Sequence, residues 1–502
     1  MSRINTNVQS LIAQRILNSN SQQLSTSLER LSTGVRINRG KDDPAGLIAS
    51  ENLRSELKGL NAAITNSERA DQVATIAEGG LQEVSSLLTE LQGLVTTTAS
   101  SAGLSKEERQ ANQLQVDSIL QTIDRISGST SFQGTKLLNG GLDFTVSAVA
   151  TGVTDFRING AKYSGKSLDV NVLVTTSAQQ GVLFLSAGAA NIDLNTGSQF
   201  VFEVAGSLGS RQLTFASGAT LNQIVSSINA YKDTTGVEAK VSGTGVRLFT
   251  SKFGKDEFVS AKVVNQGGLD SGQRGVYQVQ TGDSGAAQTS SVVTFANSNN
   301  GIRDTGQDLG AYINGVKATS NGRTARINTD FLDVEITLDQ SKSQTLGSVG
   351  TNAFGITGGG ASFQFGGKVD ITGKVAVGVQ DVAVRKLGSS DSGFLDKLAS
   401  GQVNNLVDGD INVAQKSISE AIKQVSSIRG RIGAFQKNTI GSTIRSLNIG
   451  VENTAAAQSV IRDSDFAAET ASLTRSQILV SAATNTLGLA NQSPQSVLQL
   501  LG

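Results

Sequence analysis

The sequence predicts a multidomain α + β chain: long antiparallel, coiled-coil helices from both termini form an inner core and a rod, and β-rich outer domains are inserted in the middle. Three observations predict it. At the C-terminus Leu473, Val480, Leu487, Pro494 and Leu501 fall seven apart, with Ser476, Ala483, Ala490 and Val497 as offset companions, an a/d heptad pattern. Apolar residues between 4 and 126 keep a related spacing of threes and fours. The segment 141–400 holds 37 of the 56 Gly and 19 of the 22 Phe plus Tyr, a composition shift that marks domain boundaries. Helical ends that each need a partner, separated by strand-like material, pair with each other. The expected division is an inner helical core of 1–42 with 464–502, a helical rod with a β-hairpin of 43–150 with 390–463, and an outer region of 151–389 made of two smaller β-rich units.

Ile4, Val8, Leu11 and Leu17, then Leu24, Leu28, Leu31 and Val35, mark the first helix with one slip in register, ending near Gly34 and Gly40. Asp43 then caps a second helix that has Pro44 at its first position. Asp42 and Asp43 are also metal-ligand chemistry, but two adjacent carboxylates on a loop lack further ligands. The second helix carries Leu57, Leu60 and Ile64, then Leu81, Val84, Leu88, Leu91 and Val95. Gly79, Gly80 and Gly93 within it each cost about 1 kcal/mol relative to Ala, so packing must compensate. Ser105 with Glu108 forms a capping box for a returning helix striped by Val116, Ile119, Ile123 and Ile126, which a turn at 127–130 ends.

Phe200–Val204, Val246–Thr250 and Phe331–Thr337 alternate or run apolar between Gly and Asn turns and read as strands, with a helical insert at Leu221–Ala230. Phe156–Gly160 and Tyr312–Gly315 form a weak repeat, each read as an Asn-Gly hairpin turn after a strand. Gly358–Gly360 reads as a flexible loop. After residue 400 the strands cease. Asp410 caps a helix with the stripe Ile411, Ala414, Ile418, Ala421, Val425, Ile428, Ile432 and Phe435, and Ser464 or Asp465 caps the last helix.

Lys plus Arg equals Asp plus Glu at 42 each, so no net field draws nucleic acid or anionic lipid. The absence of Cys and His removes disulfides, thiol nucleophiles and the commonest general base and metal ligand. No Ser/Lys or paired-carboxylate constellation stands out, so no catalytic, cofactor or metal site is expected and the chain is not read as an enzyme. Gly160–Ser167 fits the phosphate-loop pattern G-x-x-x-x-G-K-S, yet Leu168–Val174 after it alternates like a strand where a nucleotide site needs a helix N-terminus. That segment reads as a β-hairpin tip. The start MSRINTNVQSLIAQRIL lacks the pattern of a cleaved secretory signal, and no apolar run reaches the ~18 residues of a membrane span. By composition alone a cytosolic protein is equally allowed. Residues 476–502 carry no charged side chain, and the first acid of the chain is Glu29. A helix without a charged face is not suited to bulk water.

Leu31-Ser-Thr-Gly-Val-Arg-Ile-Asn38 and Lys41-Asp-Asp-Pro-Ala-Gly46 resemble the signature of bacterial flagellins. So do Arg462-Asp-Ser-Asp-Phe-Ala467, Gln477-Ile-Leu479, Ala490-Asn-Gln492, Pro494-Gln495 and Ser496-Val-Leu-Gln-Leu-Leu501. The likeness covers 1–140 and 400–502, two motif sets at opposite ends in the right order. It implies a structural subunit that polymerises with copies of itself into the extracellular filament used for swimming. The implied assembly core is Ile4, Val8, Leu11, Leu24, Leu28, Leu31, Leu473, Val480, Leu487, Val497, Leu498 and Leu501. Also implied are export, unfolded and uncleaved, through the flagellar type III export gate, a secretion chaperone on 465–502, and contacts with filament cap and hook-filament junction proteins. The Ile-Asn-Gly segments resemble a hairpin motif of flagellin and hook-associated outer domains. Rival readings are a junction or cap protein sharing the terminal helices, a nucleotide-binding enzyme built on 160–167, and an intracellular helical scaffold.

Two departures qualify the likeness. Without His the H-E-x-x-H zinc-protease motif of some flagellins cannot exist here. Many flagellins detected by an innate immune receptor carry an Arg in the first rod helix where Glu90 stands in this chain, although Leu94 nearby is retained. A charge reversal at a protein contact costs several kcal/mol. Weak receptor activation is therefore expected in a cell reporter assay, and full potency would overturn that expectation.

Overall fold

The first helix, α1 (Val8–Thr33), begins where Asn7 Oδ1 accepts the Ser10 amide at 3.0 Å. It ends at Gly34, whose φ of 73° lets its own amide reach the Arg30 carbonyl at 2.8 Å. Asp43 caps α2 (Pro44–Thr98) by accepting the Gly46 amide at 2.9 Å, and the reciprocal Ser105/Glu108 box starts α3 (Lys106–Ser129). Thr220 and Gln223 repeat that box at α4 (Leu221–Asn229). Asp410 accepts the Asn412 amide at 2.9 Å at the head of α5 (Ile411–Ala434). A π-helical stretch, Phe435–Ile440, leads into α6 (Gly441–Arg462), and α7 (Phe466–Leu501) follows. Of its two candidate caps Asp465 serves, accepting the Ala467 amide at 2.9 Å. The turn expected at 127–130 gives way to helix through Ser129: Ser127 Oγ donates to the Leu138 carbonyl at 2.9 Å and Thr130 Oγ1 to that of Ile126 at 2.8 Å, holding the last turn.

The computed structural model describes residues 6–100, 103–163, 165–188, 191–269, 274–278, 292–390 and 392–501, with the backbone alone for 292 and 493–501. They form two units: one of residues up to Ala74, Phe363–Lys374 and Gly433 onward, the other of Thr75–Ser362 and Val375–Ile432.

In the second unit the helices each bury one stripe. Leu81, Val84, Leu88, Leu91 and Val95 are buried on α2, Val116, Ile119, Leu120 and Ile123 on α3, and Ala414, Ile418, Ala421, Val425, Ile428 and Ile432 on α5. Polar clasps join them: Arg429 Nε donates to Glu78 Oε1 at 2.9 Å, and Asn112 Nδ2 to Thr98 Oγ1 at 3.0 Å. Among the glycines inside α2, Gly80 has a packing reason, since a Cβ there would lie 2.7 Å from Leu138 Cδ1, whereas Gly79 and Gly93 border open space.

The β-rich part of this unit has two buried clusters. The first joins a sheet ordered Val237–Ser242, Gly245–Thr250, Val182–Ser186, Gly275–Gln278, Val292–Thr294 to another ordered Ile302–Thr305, Phe258–Asn265, Gln199–Gly206, Ser210–Ala216. Phe200, Phe202 and Val204 alternate inward along one strand, and α4 adds Leu221, Ile224 and Ile228 to the same cluster. The second cluster gathers Leu332, Val334, Ile336 and Leu338 of Leu332–Leu338 with Phe354 and Ile356 of Phe354–Gly359.

Three local expectations are corrected here. Asn314-Gly315 makes the expected hairpin turn, with φ of 48° and 79°, but Asn159-Gly160 lies inside the strand Val153–Ala161. There Gly160 pairs with Asp333 and Ile158 with Val334, so Asn159 is the extra residue of a β-bulge, its side-chain Nδ2 donating to Asp333 Oδ1 at 3.0 Å. Gly358–Gly360 is not a free loop: Phe354–Gly359 is a strand, and a Cβ on Gly359, at φ of 78°, would lie 2.1 Å from the Asp143 carbonyl oxygen. Gly160–Ser167 is not a hairpin tip either. It connects Val153–Ala161, paired with Leu332–Leu338, to Leu168–Val170, paired with Phe354–Gly359; Ser164 lies outside the described residues. A strand follows the motif, so no helix N-terminus faces it, and Lys162 Nζ is held by Asp330 at 2.6 Å.

In the first unit α2 buries Ala63, Ser67, Ala70 and Ala74, while Leu57, Leu60 and Ile64, the expected stripe, are half-buried. Small side chains at the same 3,4 spacing form the inner line and push the larger ones to its margins. Residues 34–43 turn the chain from α1 into α2. Asp42 Oδ2 accepts the amides of Arg39 at 2.8 Å and Asn38 at 3.1 Å, and Ile37 is buried beneath. Both members of the Asp42-Asp43 pair thus hold backbone amides. The Arg36 amide reaches the Arg462 carbonyl at 2.7 Å, and the Ser464 amide the Gly34 carbonyl at 3.0 Å.

Hydrogen bonds from the Arg39 amide first, and then from Asn38, hold the Asp42 carboxyl below the usual carboxylate range. A depressed folded pKa contributes stability that is present above the unfolded value of about 3.9 and lost as pH falls through the folded value. Asp42→Asn should therefore lower amide-exchange protection at Asn38 and Arg39 near neutral pH. The variant and the natural chain should converge once pH drops below the ordinary carboxylate range; equal protection near neutrality would contradict this.

Candidate assembly surface

α1 and α7 lie antiparallel in one continuous register. Asn7 Nδ2 donates to the Ala490 carbonyl at 2.7 Å, Asn20 Nδ2 to that of Leu479 at 3.4 Å, and Ser27 Oγ meets Ser472 Oγ at 3.3 Å. Arg30 Nη1 lies 3.8 Å from Glu469 Oε2. The facing lines alternate steps of three and four: Ser10, Ala13, Leu17, Asn20, Leu24, Ser27 and Leu31 on α1, and Glu469, Leu473, Ser476, Val480, Ala483, Leu487 and Ala490 on α7. The fully buried members are Ala13, Ser27, Ser476 and Ala483, all small. Short side chains at these positions let the two backbones approach closely, and the half-buried Leu17, Leu24, Leu31, Leu473, Val480 and Leu487 pack between them.

The bulk faces outward. Val8, Leu11, Ile12, Ile16 and Leu28 on α1 are exposed, Leu11 by 58%, and so are Phe466, Ile478, Leu479 and Leu489 on α7, Leu489 by 71%. A soluble monomer rarely presents so many large apolar side chains on one helical pair, and from 476 onward α7 has no charge to keep them wet. Arg30 and Glu469 are the ion pair between these two helices among the described residues. Arg30 Nε is buried without a hydrogen-bond partner, so the pair fixes register more than it adds stability.

The anticipated assembly residues divide between these two environments. Leu24, Leu31, Leu473, Val480 and Leu487 are half-buried in the seam, whereas Val8, Leu11 and Leu28 point away from it. Ile4 lies outside the described residues; Val497, Leu498 and Leu501 lie on α7, but their side chains are outside them. Sequence reasoning missed Ala13 and Ser27 in the seam and Ile12, Ile16, Ile478, Leu479 and Leu489 outside it. For the α1 seam the signal was present as 3,4 spacing of small residues, which following only the large apolar side chains of that helix passes over. On α2, Glu90 is exposed and Leu94 half-buried, both in the second unit.

Among the described residues no group of three His, Cys, Asp or Glu side chains could hold a metal, and no helix is long and apolar enough to cross a membrane.

Three family models match the chain: the bacterial flagellin N-terminal helical region over residues 4–142, the bacterial flagellin C-terminal helical region over 415–501, and the flagellin hook IN motif over 199–252. The last falls on the first β cluster, with Gln199–Gly206, Ser210–Ala216 and α4, and on neither of the Ile-Asn-Gly segments from which such a motif was anticipated. The chain is 29% identical to a flagellin of Salmonella rubislaw and 28% identical to a B-type flagellin of Pseudomonas aeruginosa, in each case over 99% of both chains. A solved flagellar hook associated protein-3 from Legionella pneumophila is similar over 81% of this chain and 97% of that one, at 10% identity and a TM-score of 0.28, a likeness from which nothing further follows. With both helical ends matched in place and flagellins aligned along its whole length, the chain belongs to the bacterial flagellin family, the structural subunits of the flagellar filament.

Proposed function

We propose that this flagellin polymerises through the outward apolar faces of α1 and α7, with Val8, Leu11 and Leu28 meeting neighbouring subunits and Leu24, Leu31, Leu473, Val480 and Leu487 holding the helices together behind them. One observation carries the reading: the fully buried members of the seam are the small Ala13, Ser27, Ser476 and Ala483, while a further set of large apolar side chains is left exposed on both helices. Each outward Leu or Ile buried between subunits contributes about 1.5–3 kcal/mol, so several per subunit suffice to drive assembly without any new polar contact. Ile4, Val497, Leu498 and Leu501 extend the same core.

In this reading the chain works as three regions: 1–42 with 464–502 in the inner core, 43–150 with 390–463 in the rod, and 151–389 outside. It has no catalytic role; its chemistry is self-association. Terminal helices with exposed apolar faces, the last one uncharged from 476 onward, need neighbours to be stable, which fits export in an unfolded state through the type III gate, a chaperone shielding 465–502, and end contacts with cap and junction proteins at the extracellular filament.

Leu11→Asp places a charge where assembly would bury it, at a cost of several kcal/mol, and should abolish sedimentable filaments while leaving the thermal unfolding of the monomer unchanged. Removing residues 480–502 should abolish them as well. Normal filaments from either variant would refute the proposal.

A further inference from the structure

We propose that the segment Phe363–Lys374 is an intersubunit clip, in which Val369 at its tip docks against the exposed Ile48 and Val460 side chains of a second copy of this chain. The segment is anchored at its base. Asn66 Nδ2 donates to the Gln364 carbonyl at 3.3 Å, and a Cβ on Gly59 of α2 would lie 2.4 Å from the Gly367 carbonyl oxygen, so two glycine backbones touch there. Phe363 and Phe365 lie with ring centroids 6.3 Å and 6.2 Å from that of Phe435 on the π-helical stretch.

The tip is pinned as well. Asp370 Oδ1 accepts the Gly373 amide at 2.6 Å and the Thr372 hydroxyl at 2.7 Å, and Gln364 Nε2 donates to the Lys368 carbonyl at 2.6 Å. This scaffold presents Val369 at 95% exposure, more than any other large apolar side chain among the described residues. A pinned loop cannot fold that side chain away, and a β-branched residue has few rotamers to lose, so the knob is preorganised for docking.

Reach and charge identify the occupant. Val460 at 82% and Ile48 at 65% are also highly exposed and lie in the same unit, at the ends of α6 and α2 where Arg462 Nη1 is 3.4 Å from Glu51 Oε1. Lys368 and Asp370 flank Val369, while Glu51 and Arg462 flank the patch, so both signs are matched. Within one chain the two cannot meet. Gly367 is held at Gly59, about 16 Å along α2 from Ile48, and two residues of chain span at most about 7 Å. A neighbouring copy can supply the patch, because the chain polymerises. The inference rests on that polymerisation but not on the terminal-helix faces.

Because the chain has no Cys, Val369→Cys offers one thiol for a benzophenone photocrosslinker. Irradiated filaments should give covalent dimers whose linked peptide falls within 44–54 or 449–462, and irradiated monomer should give none. Val369→Asp should still form filaments, at a critical concentration raised about tenfold and with monomer unfolding unchanged. Adducts confined to one chain or mapping elsewhere, or assembly of Val369→Asp at the natural concentration, would overturn the clip while leaving filament formation by the terminal helices intact. Val369→Ser repeats the second arm should the Asp variant fail to fold.

Discussion

The close antiparallel packing of α1 against α7 is the constraint on which the rest of this subunit's function depends. It ties residues at opposite ends of the sequence into one helical pair, with Ala13, Ser27, Ser476 and Ala483 fully buried and Leu24, Leu31, Leu473, Val480 and Leu487 half-buried between them. Helical geometry then leaves Leu11, Ile12, Ile16, Ile478 and Leu489, which are off the facing lines, pointing outward. The pair is closed along its inner line and leaves large apolar side chains exposed on the other side.

The corner at 34–43 transmits this arrangement into α2. Asp42 secures two amides, Asp43 starts the next helix, and the Arg36 and Ser464 amides lock the corner to the junction between α6 and α7. The β-rich region, by contrast, supplies its own cores. Phe200, Phe202 and Phe295 fill one cluster and Val334, Ile336 and Phe354 the other, so neither needs the helical seam for its burial. The cores of the β-rich region and the packing of the terminal helices are therefore built from different residues of the chain.

Much of the fold was legible because it follows from local rules. Asp43, Ser105 with Glu108, and Asp410 cap helices through atoms three or fewer residues away, and the heptad of α7 is visible from spacing alone. What was hidden depends on distant partners. Asn159-Gly160 and Asn314-Gly315 are the same dipeptide, but pairing with Asp333 makes the first a bulge within a strand. Ala13 and Ser27 carry little hydrophobic signal although the seam requires their small volume. The contact of Gly367 with Gly59 is backbone against backbone between distant parts of the sequence and leaves no side-chain pattern to read. The candidate assembly surface was half legible for the same reason: ranking by hydrophobicity found Val8, Leu11 and Leu28 but did not separate residues facing the partner helix from those left exposed.

Hydrogen exchange of the α1 and α7 amides, compared between monomer and filament, tests the central claim most directly. If the small-residue seam is marginal and the outward apolar faces provide most of the stability, these amides exchange rapidly in the monomer and become strongly protected on polymerisation. Strong protection already present in the monomer, unchanged in the filament, would contradict the account.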